Sequence, residues 1–194
     1  AQYWLANPSQ NYGFELALGD NGLYYHGIIV ASRENTDTTL QPSLCITYTA
    51  PIPQVQTACI TASEDAMLHE YTPSTNYGGF DNMRTSKHTY GGPWAETKTL
   101  YKFDMSSLPP NAIITQATMT LSPCYACTPF YLHYDLGGGS GNAGVVKQVT
   151  SPWTEFGVTW NTAPSTTTRA LGTNIPPTHP RSLIVTAGFT DTSP

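Results

Sequence analysis

The sequence predicts an all-β protein, by default a single antiparallel β-sandwich, and three observations carry that expectation. No window of about 11 residues or more sustains a 3.6-residue apolar period, so amphipathic helices are not expected. Short alternating runs recur along the chain, and sixteen glycines and sixteen prolines interrupt them. Only 11% of the residues are charged while threonine occurs 29 times, so solubility rests on hydroxyl and amide groups, as in extracellular β proteins.

In chain order, Phe14–Leu18 alternates, Gly19-Asp20-Asn21-Gly22 reads as a turn, and Tyr24–Ala31 follows as a second strand. Ser43–Thr49 is a third, with Leu44, Ile46 and Tyr48 on one face. These first fifty residues make too small a sheet to be stable without a partner layer. Pro51-Ile52-Pro53 marks residues 51–56 as a proline-rich linker, because two prolines in three residues favour extended, unpaired backbone. Residues 57–194 then carry the main part of the sandwich. Strands are expected over Ala58–Ala62, Asp65–Glu70, Asp81–Thr85, Thr99–Asp104 and Ile113–Leu121, and a hairpin through Cys124-Tyr125-Ala126-Cys127 joins Ala117–Pro123 to Thr128–Tyr134.

Composition narrows the function classes. A net charge of -5 with eight Lys plus Arg leaves no basic stripe for phosphates, which argues against nucleic acid and anionic membranes as partners. No apolar run is long enough for a membrane-spanning helix. Cys45, Cys59, Cys124 and Cys127 are an even set, as expected of disulfides in an oxidising compartment, and three connectivities are open. A zinc site is the rival reading, but there is one Cys-x-x-Cys and no histidine at finger spacing. Gly137-Gly138-Gly139-Ser140-Gly141 lacks the lysine and the helix of a phosphate loop and reads as a hairpin tip. The Thr- and Pro-rich stretch 166–180 suits a surface loop open to O-glycans.

Three phrases in order carry a resemblance across residues 57–170. They are Asp65-Ala66-Met67 leading to Asn76-Tyr77-Gly78, then Leu100-Tyr101-Lys102-Phe103-Asp104-Met105-Ser106, then Trp153-Thr154-Glu155 with Val158-Thr159-Trp160-Asn161. Together they resemble the DNRLRE-type extracellular β-sandwich domain, a jelly roll related to alginate-binding carbohydrate modules. Where that family usually has Arg before Phe-Asp, this chain has Lys102.

The resemblance implies an unusual order. Residues 1–50 supply what normally ends such a domain: Gln2-Tyr3-Trp4, a second Asn-Tyr-Gly at Asn11-Tyr12-Gly13, and Leu44-Cys45-Ile46-Thr47-Tyr48. Asp191-Thr192-Ser193-Pro194, followed by Ala1-Gln2-Tyr3-Trp4-Leu5, reads as one continuous family phrase. The expectation is therefore a permuted domain, with residues 1–50 completing a sandwich of the same or a neighbouring unit. With the last strand near the first, Cys45 and Cys59 are expected to face each other. The two prolines favour completion of a neighbour over completion within the chain, through an assembly joint formed by Ala1, Tyr3, Trp4, Leu5, Asp191 and Pro194. The leading functional expectation is accordingly a non-enzymatic subunit of an extracellular filament that meets copies of itself head to tail. The alternative is a carbohydrate-binding module for an acidic polysaccharide such as alginate.

For sugar contact, Tyr90 and Trp94 in a Gly-Gly-Pro loop are the candidate platform, with Arg84 and Lys87 as cationic neighbours and Lys98 close in sequence. For a structural calcium ion, the candidate oxygen ligands are Asp65, Asp81, Asn82 and Asp104. Glu64, Asp65 and Glu155 do not form a glycosidase pair that sequence can establish, and Glu155 is expected to fix a loop by hydrogen bonds. The five histidines are scattered and carry no metalloprotease motif.

Overall fold

The computed structural model of the chain describes residues 1–18, 26–50, 54–88, 95–122, 124, 144–167, 172–173 and 183–187. The expected Thr128–Tyr134 strand, the glycine-rich tip and the greater part of the 166–180 stretch lie outside these residues.

Eleven strands are described: β1 (Phe14–Leu18), β2 (His26–Ala31), β3 (Ser43–Thr49), β4 (Val55–Thr61), β5 (Glu64–His69), β6 (Asn82–His88), β7 (Ala95–Lys102), β8 (Ile113–Leu121), β9 (Gly144–Gln148), β10 (Gly172–Thr173) and β11 (Leu183–Ala187). They form two antiparallel sheets. The larger has the order β10-β9-β1-β7-β6-β2, with β5 also paired to β7; the smaller has the order β11-β8-β3-β4. Expectation and structure thus agree on an all-β sandwich. The alternation that marks β3 in the sequence is realised in full, since Leu44, Ile46 and Tyr48 are buried and the residues between them are half-exposed.

The sheets enclose one main core. Phe14 and Leu16 of β1, Met67 of β5, Met83 of β6 and Tyr101 of β7 meet Leu44 and Ile46 of β3 and Ala117, Met119 and Leu121 of β8. A short helix, α1 (Gln2–Ala6), caps this core with Trp4 and Leu5. Trp4 lies edge-on to Phe14, ring centroids 4.7 Å apart. The Gln2 side chain donates to Ala112 O and accepts from Ile114 N, so its amide stands in for a missing strand partner at the start of β8. One helical turn is below what periodicity in a sequence can reveal.

Completion by a neighbour must be corrected for residues 1–50. β1 inserts between β7 and β9, β2 pairs with β6, and β3 lies between β4 and β8, all in the same chain. Thr49 sits opposite Val55 in antiparallel register, so β3 and β4 pair within one chain; residues 51–53 lie outside the described residues. Of the expected joint, Ala1, Trp4 and Leu5 are buried in the chain's own core and only Tyr3 is exposed; Asp191 and Pro194 lie outside the described residues. The physical reason is that β1 and β3 are paired on both sides and β2 on one, and that their apolar residues are buried in the core of the same sandwich.

Cys45 and Cys59 stand directly opposite each other on β3 and β4 and are disulfide-bonded, with Cα atoms 4.0 Å apart. Cys124 is disulfide-bonded and buried, while Cys127 lies outside the described residues.

Candidate functional site

The larger sheet has an outer face built chiefly by β7. Along that strand Glu96, Lys98, Leu100 and Lys102 alternate with Thr97, Thr99 and Tyr101, and Tyr101 belongs to the main core while Leu100 belongs to a second, outer cluster. Register carries the pattern to the neighbouring strands. Lys87 of β6 stands opposite Glu96, Glu64 of β5 opposite Lys102, and Glu15 of β1 opposite both Leu100 and Lys147 of β9. All four lysines of the chain therefore project from one face of one sheet.

Each lysine has an acidic neighbour: Lys102 lies 2.6 Å from Glu64, Lys87 3.1 Å from Glu96, Lys98 3.7 Å from Glu96 and Lys147 3.9 Å from Glu15. The cations also meet aromatic rings. Lys98 Nζ sits 5.1 Å from the centre of Trp160 and Lys102 Nζ 5.2 Å from that of Trp153. Burial raises the carboxyl of Glu15 above its ordinary range, and Lys98 and Lys147 pull it back.

The loop after β9 brings the two tryptophans to this face. Val149, Trp153 and Val158 pack with Ala66, Leu68 and Leu100, and Tyr12 and Trp160 pack against that cluster. Both Asn-Tyr-Gly phrases clamp the loop. Asn76 Nδ2 donates to Glu155 O and Val158 O, each at 2.7 Å, while Trp153 Nε1 donates to Tyr12 O at 2.7 Å and Val149 N to Gly13 O. Neither glycine tolerates a side chain: a Cβ on Gly13, which has φ +83°, would lie 2.0 Å from Tyr101 O, and one on Gly78 2.4 Å from Glu155 O. Trp160 opens a single 3-10 turn, Trp160–Thr162, capped reciprocally by Thr159 and Thr162. Asn161 ties that turn to Pro73 O and Ser74 Oγ. Trp160 is half-buried, whereas Trp153 is buried, so Trp160 is the ring offered to solvent.

Beneath the loop lies a group of acids. Glu155 receives Arg33 twice, from Nη2 at 2.6 Å and Nε at 3.3 Å, and Arg33 Nη2 also reaches Glu34 Oε1 at 2.8 Å. Arg33 N donates to Asp65 Oδ2 at 2.8 Å. Glu34, Asp65 and Glu155 each bring a carboxylate oxygen within 4.8 Å of the others. Burial pushes the Asp65 carboxyl up to about 8; the Arg33 N–H opposes this and the neighbouring Glu34 adds to it. Glu34 is likewise raised, first by burial, with Arg33 pulling it down. The Glu155 bond holds the Arg33 guanidinium more firmly protonated than usual.

The residues expected from sequence fall in several places. Tyr90 and Trp94 lie outside the described residues, in the segment between β6 and β7. Lys87 belongs to the lysine face, but Arg84 meets His69, with Nη2 and Nε2 3.3 Å apart. Of the four expected calcium ligands, Asp65 joins Glu34 and Glu155. Asp81 and Asn82 hydrogen-bond each other, and Asp104 accepts from Ser106 N and Oγ in a local turn. Glu155 fixes its loop, as its place in the phrase leads one to expect. Arg33 and Glu34 were not anticipated, because they come from the first fifty residues and no motif marks them. Lys102, Lys147 and Trp160 were missed as a group, although Glu96-x-Lys98-x-Leu100-x-Lys102 shows the alternation once β7 is started at Ala95.

No curated protein and no solved structure matches the chain. A family model does match, over residues 56–181, which is more than half of the chain, and its description is carbohydrate-binding module family 96. By that match the chain belongs to carbohydrate-binding module family 96.

Proposed function

We propose that the chain is a non-catalytic module that holds an extracellular polysaccharide on the outer face of its larger sheet. The observation that carries this reading is the gathering of all four lysines, with the half-buried Trp160, on one face of a chain whose net charge is -5. A pyranose ring stacks its C–H face on an indole, and the lysine and glutamate side chains around that indole donate to and accept from sugar hydroxyls. The four lysines concentrate the chain's ammonium groups on this face, which supports a polysaccharide bearing carboxylates, such as alginate, as the ligand. The family and the Cys45–Cys59 disulfide support a location outside the cell.

Binding to a uronate polysaccharide and to a neutral glucan, measured by isothermal titration calorimetry, tests the reading. Trp160→Ala is expected to weaken uronate binding by about tenfold or more, equivalent to about 1.4 kcal/mol, and the neutral glucan to bind more weakly than the uronate. Unchanged affinity in Trp160→Ala would remove this face from consideration.

A further inference from the structure

We propose that Glu34, Asp65 and Glu155 form a divalent cation site, of calcium type, that locks the loop carrying Trp153 and Trp160 onto the sandwich. Geometry comes first. Three carboxylate oxygens within 4.8 Å of one another fit on one coordination sphere, since calcium–oxygen distances of about 2.4 Å put opposite ligands about 4.8 Å apart.

The second observation is independent of the clustering. Asp65 is 0% exposed, and while its Oδ2 accepts from Arg33 N, its Oδ1 has no hydrogen-bond partner. Glu34 Oε2 is also buried without a partner, although Oε1 of the same carboxylate is taken by Arg33. Two ionised carboxylates cannot satisfy each other, since neither oxygen donates, so the Glu34–Asp65 pair needs either one shared proton or a cation between its oxygens. Charge leads to the same conclusion. With all three carboxylates ionised, as a bound cation would hold them, the single guanidinium of Arg33 leaves a surplus of two negative charges, the amount one divalent cation neutralises. Arg33 does not fill the site itself: its side chain lies on Glu155 and on Oε1 of Glu34, leaving Asp65 Oδ1 and Glu34 Oε2 open.

The three ligands come from separate parts of the chain. Asp65 lies on β5, Glu34 in the segment between β2 and β3, and Glu155 in the loop after β9. A cation there would cross-link both sides of the permuted-looking order. Calcium-dependent stability tests the proposal without reference to any sugar. Thermal unfolding of the intact chain is measured in excess calcium and in EGTA at fixed pH, together with terbium luminescence titration. Calcium at a hundredfold above its Kd is expected to raise Tm by about 5 °C or more. Asp65→Asn, which keeps an acceptor for Arg33 N, is expected to fold and to lose both the calcium response and terbium binding. Should that variant fail to fold, Glu34→Gln serves the same purpose from a half-exposed position. Identical Tm in calcium and EGTA, or a calcium response retained in the variant, would overturn the proposal; in the first case the pair Asp65 and Glu34 shares a proton instead.

Discussion

Glu155 shows how much one side chain can hold. It receives the Arg33 fork through its carboxylate, accepts Asn76 through its carbonyl and donates its own N–H to Glu64 Oε2. Glu155→Gln keeps the shape but lessens the pairing with Arg33, and with Glu155 buried and Arg33 partly exposed a destabilisation of about 2 kcal/mol is expected from urea unfolding. Gly13 is a second critical position. Gly13→Ala places a methyl group against Tyr101 O at a positive φ, and a loss of about 3 kcal/mol or more is expected in the same assay, against less than about 1 kcal/mol at an unconstrained glycine.

His69 supplies a pH dependence. Burial, and secondarily Arg84, lowers its pKa from 6.5 to about 4. It faces Arg84 from β6 and stacks on Tyr77, with ring centroids 5.6 Å apart. Above pH 6.5 both folded and unfolded states hold it neutral, so it contributes nothing to the pH slope. Between pH 6.5 and about 4 the unfolded state alone takes up the proton, so stability falls as pH falls, by about 2 kcal/mol in all. His69→Gln should flatten that part of the profile; an unchanged slope would mean another group is responsible.

At the scale of elements, the β3–β4 ladder and the loop after β9 behave differently. β4 is the edge of the smaller sheet and most of its residues are exposed, so little packing holds it. Its tether is the Cys45–Cys59 bond, which closes a 14-residue separation. Replacing both cysteines with alanine is expected to cost about 3 kcal/mol, seen as a lower urea midpoint, with β4 the first strand to lose amide-exchange protection. The loop after β9 is held by specific hydrogen bonds from two Asn-Tyr-Gly turns and by Trp153. How much was legible follows from these details. β3 is readable residue for residue because its burial alternates along the strand, and β8 because Pro109-Pro110-Asn111 marks its start, although its own alternation breaks at Gln116. The expected Thr99–Asp104 starts four residues late and ends two late against β7, since Ala95–Lys98 follows Gly91-Gly92-Pro93-Trp94 in the sequence and Lys98 looks like surface decoration until register is known. Arg33 and Glu34 were not readable at all, because their partners lie 32 residues away at Asp65 and 122 away at Glu155.

For the whole molecule, the decisive point is that residues 1–50 and the family-matched region 56–181 build one sandwich and one face. The first fifty residues supply Glu15, Tyr12 and Arg33; the remainder supplies the four lysines, Trp153 and Trp160. Proline content could not decide between completing a neighbour and completing the chain itself, because both use the same strands and differ only in where the turn leads.

If polysaccharide lies on the lysine face of the larger sheet, as proposed, it shields the amines there. Amine-reactive footprinting with mass spectrometry tests it most directly, since Lys87, Lys98, Lys102 and Lys147 are the chain's only lysines and all four belong to that face. Saturating uronate polysaccharide should slow the labelling of Lys98 and Lys87 the most, with Lys102 and Lys147 following. Binding that leaves the reactivity of all four lysines unchanged would contradict the account.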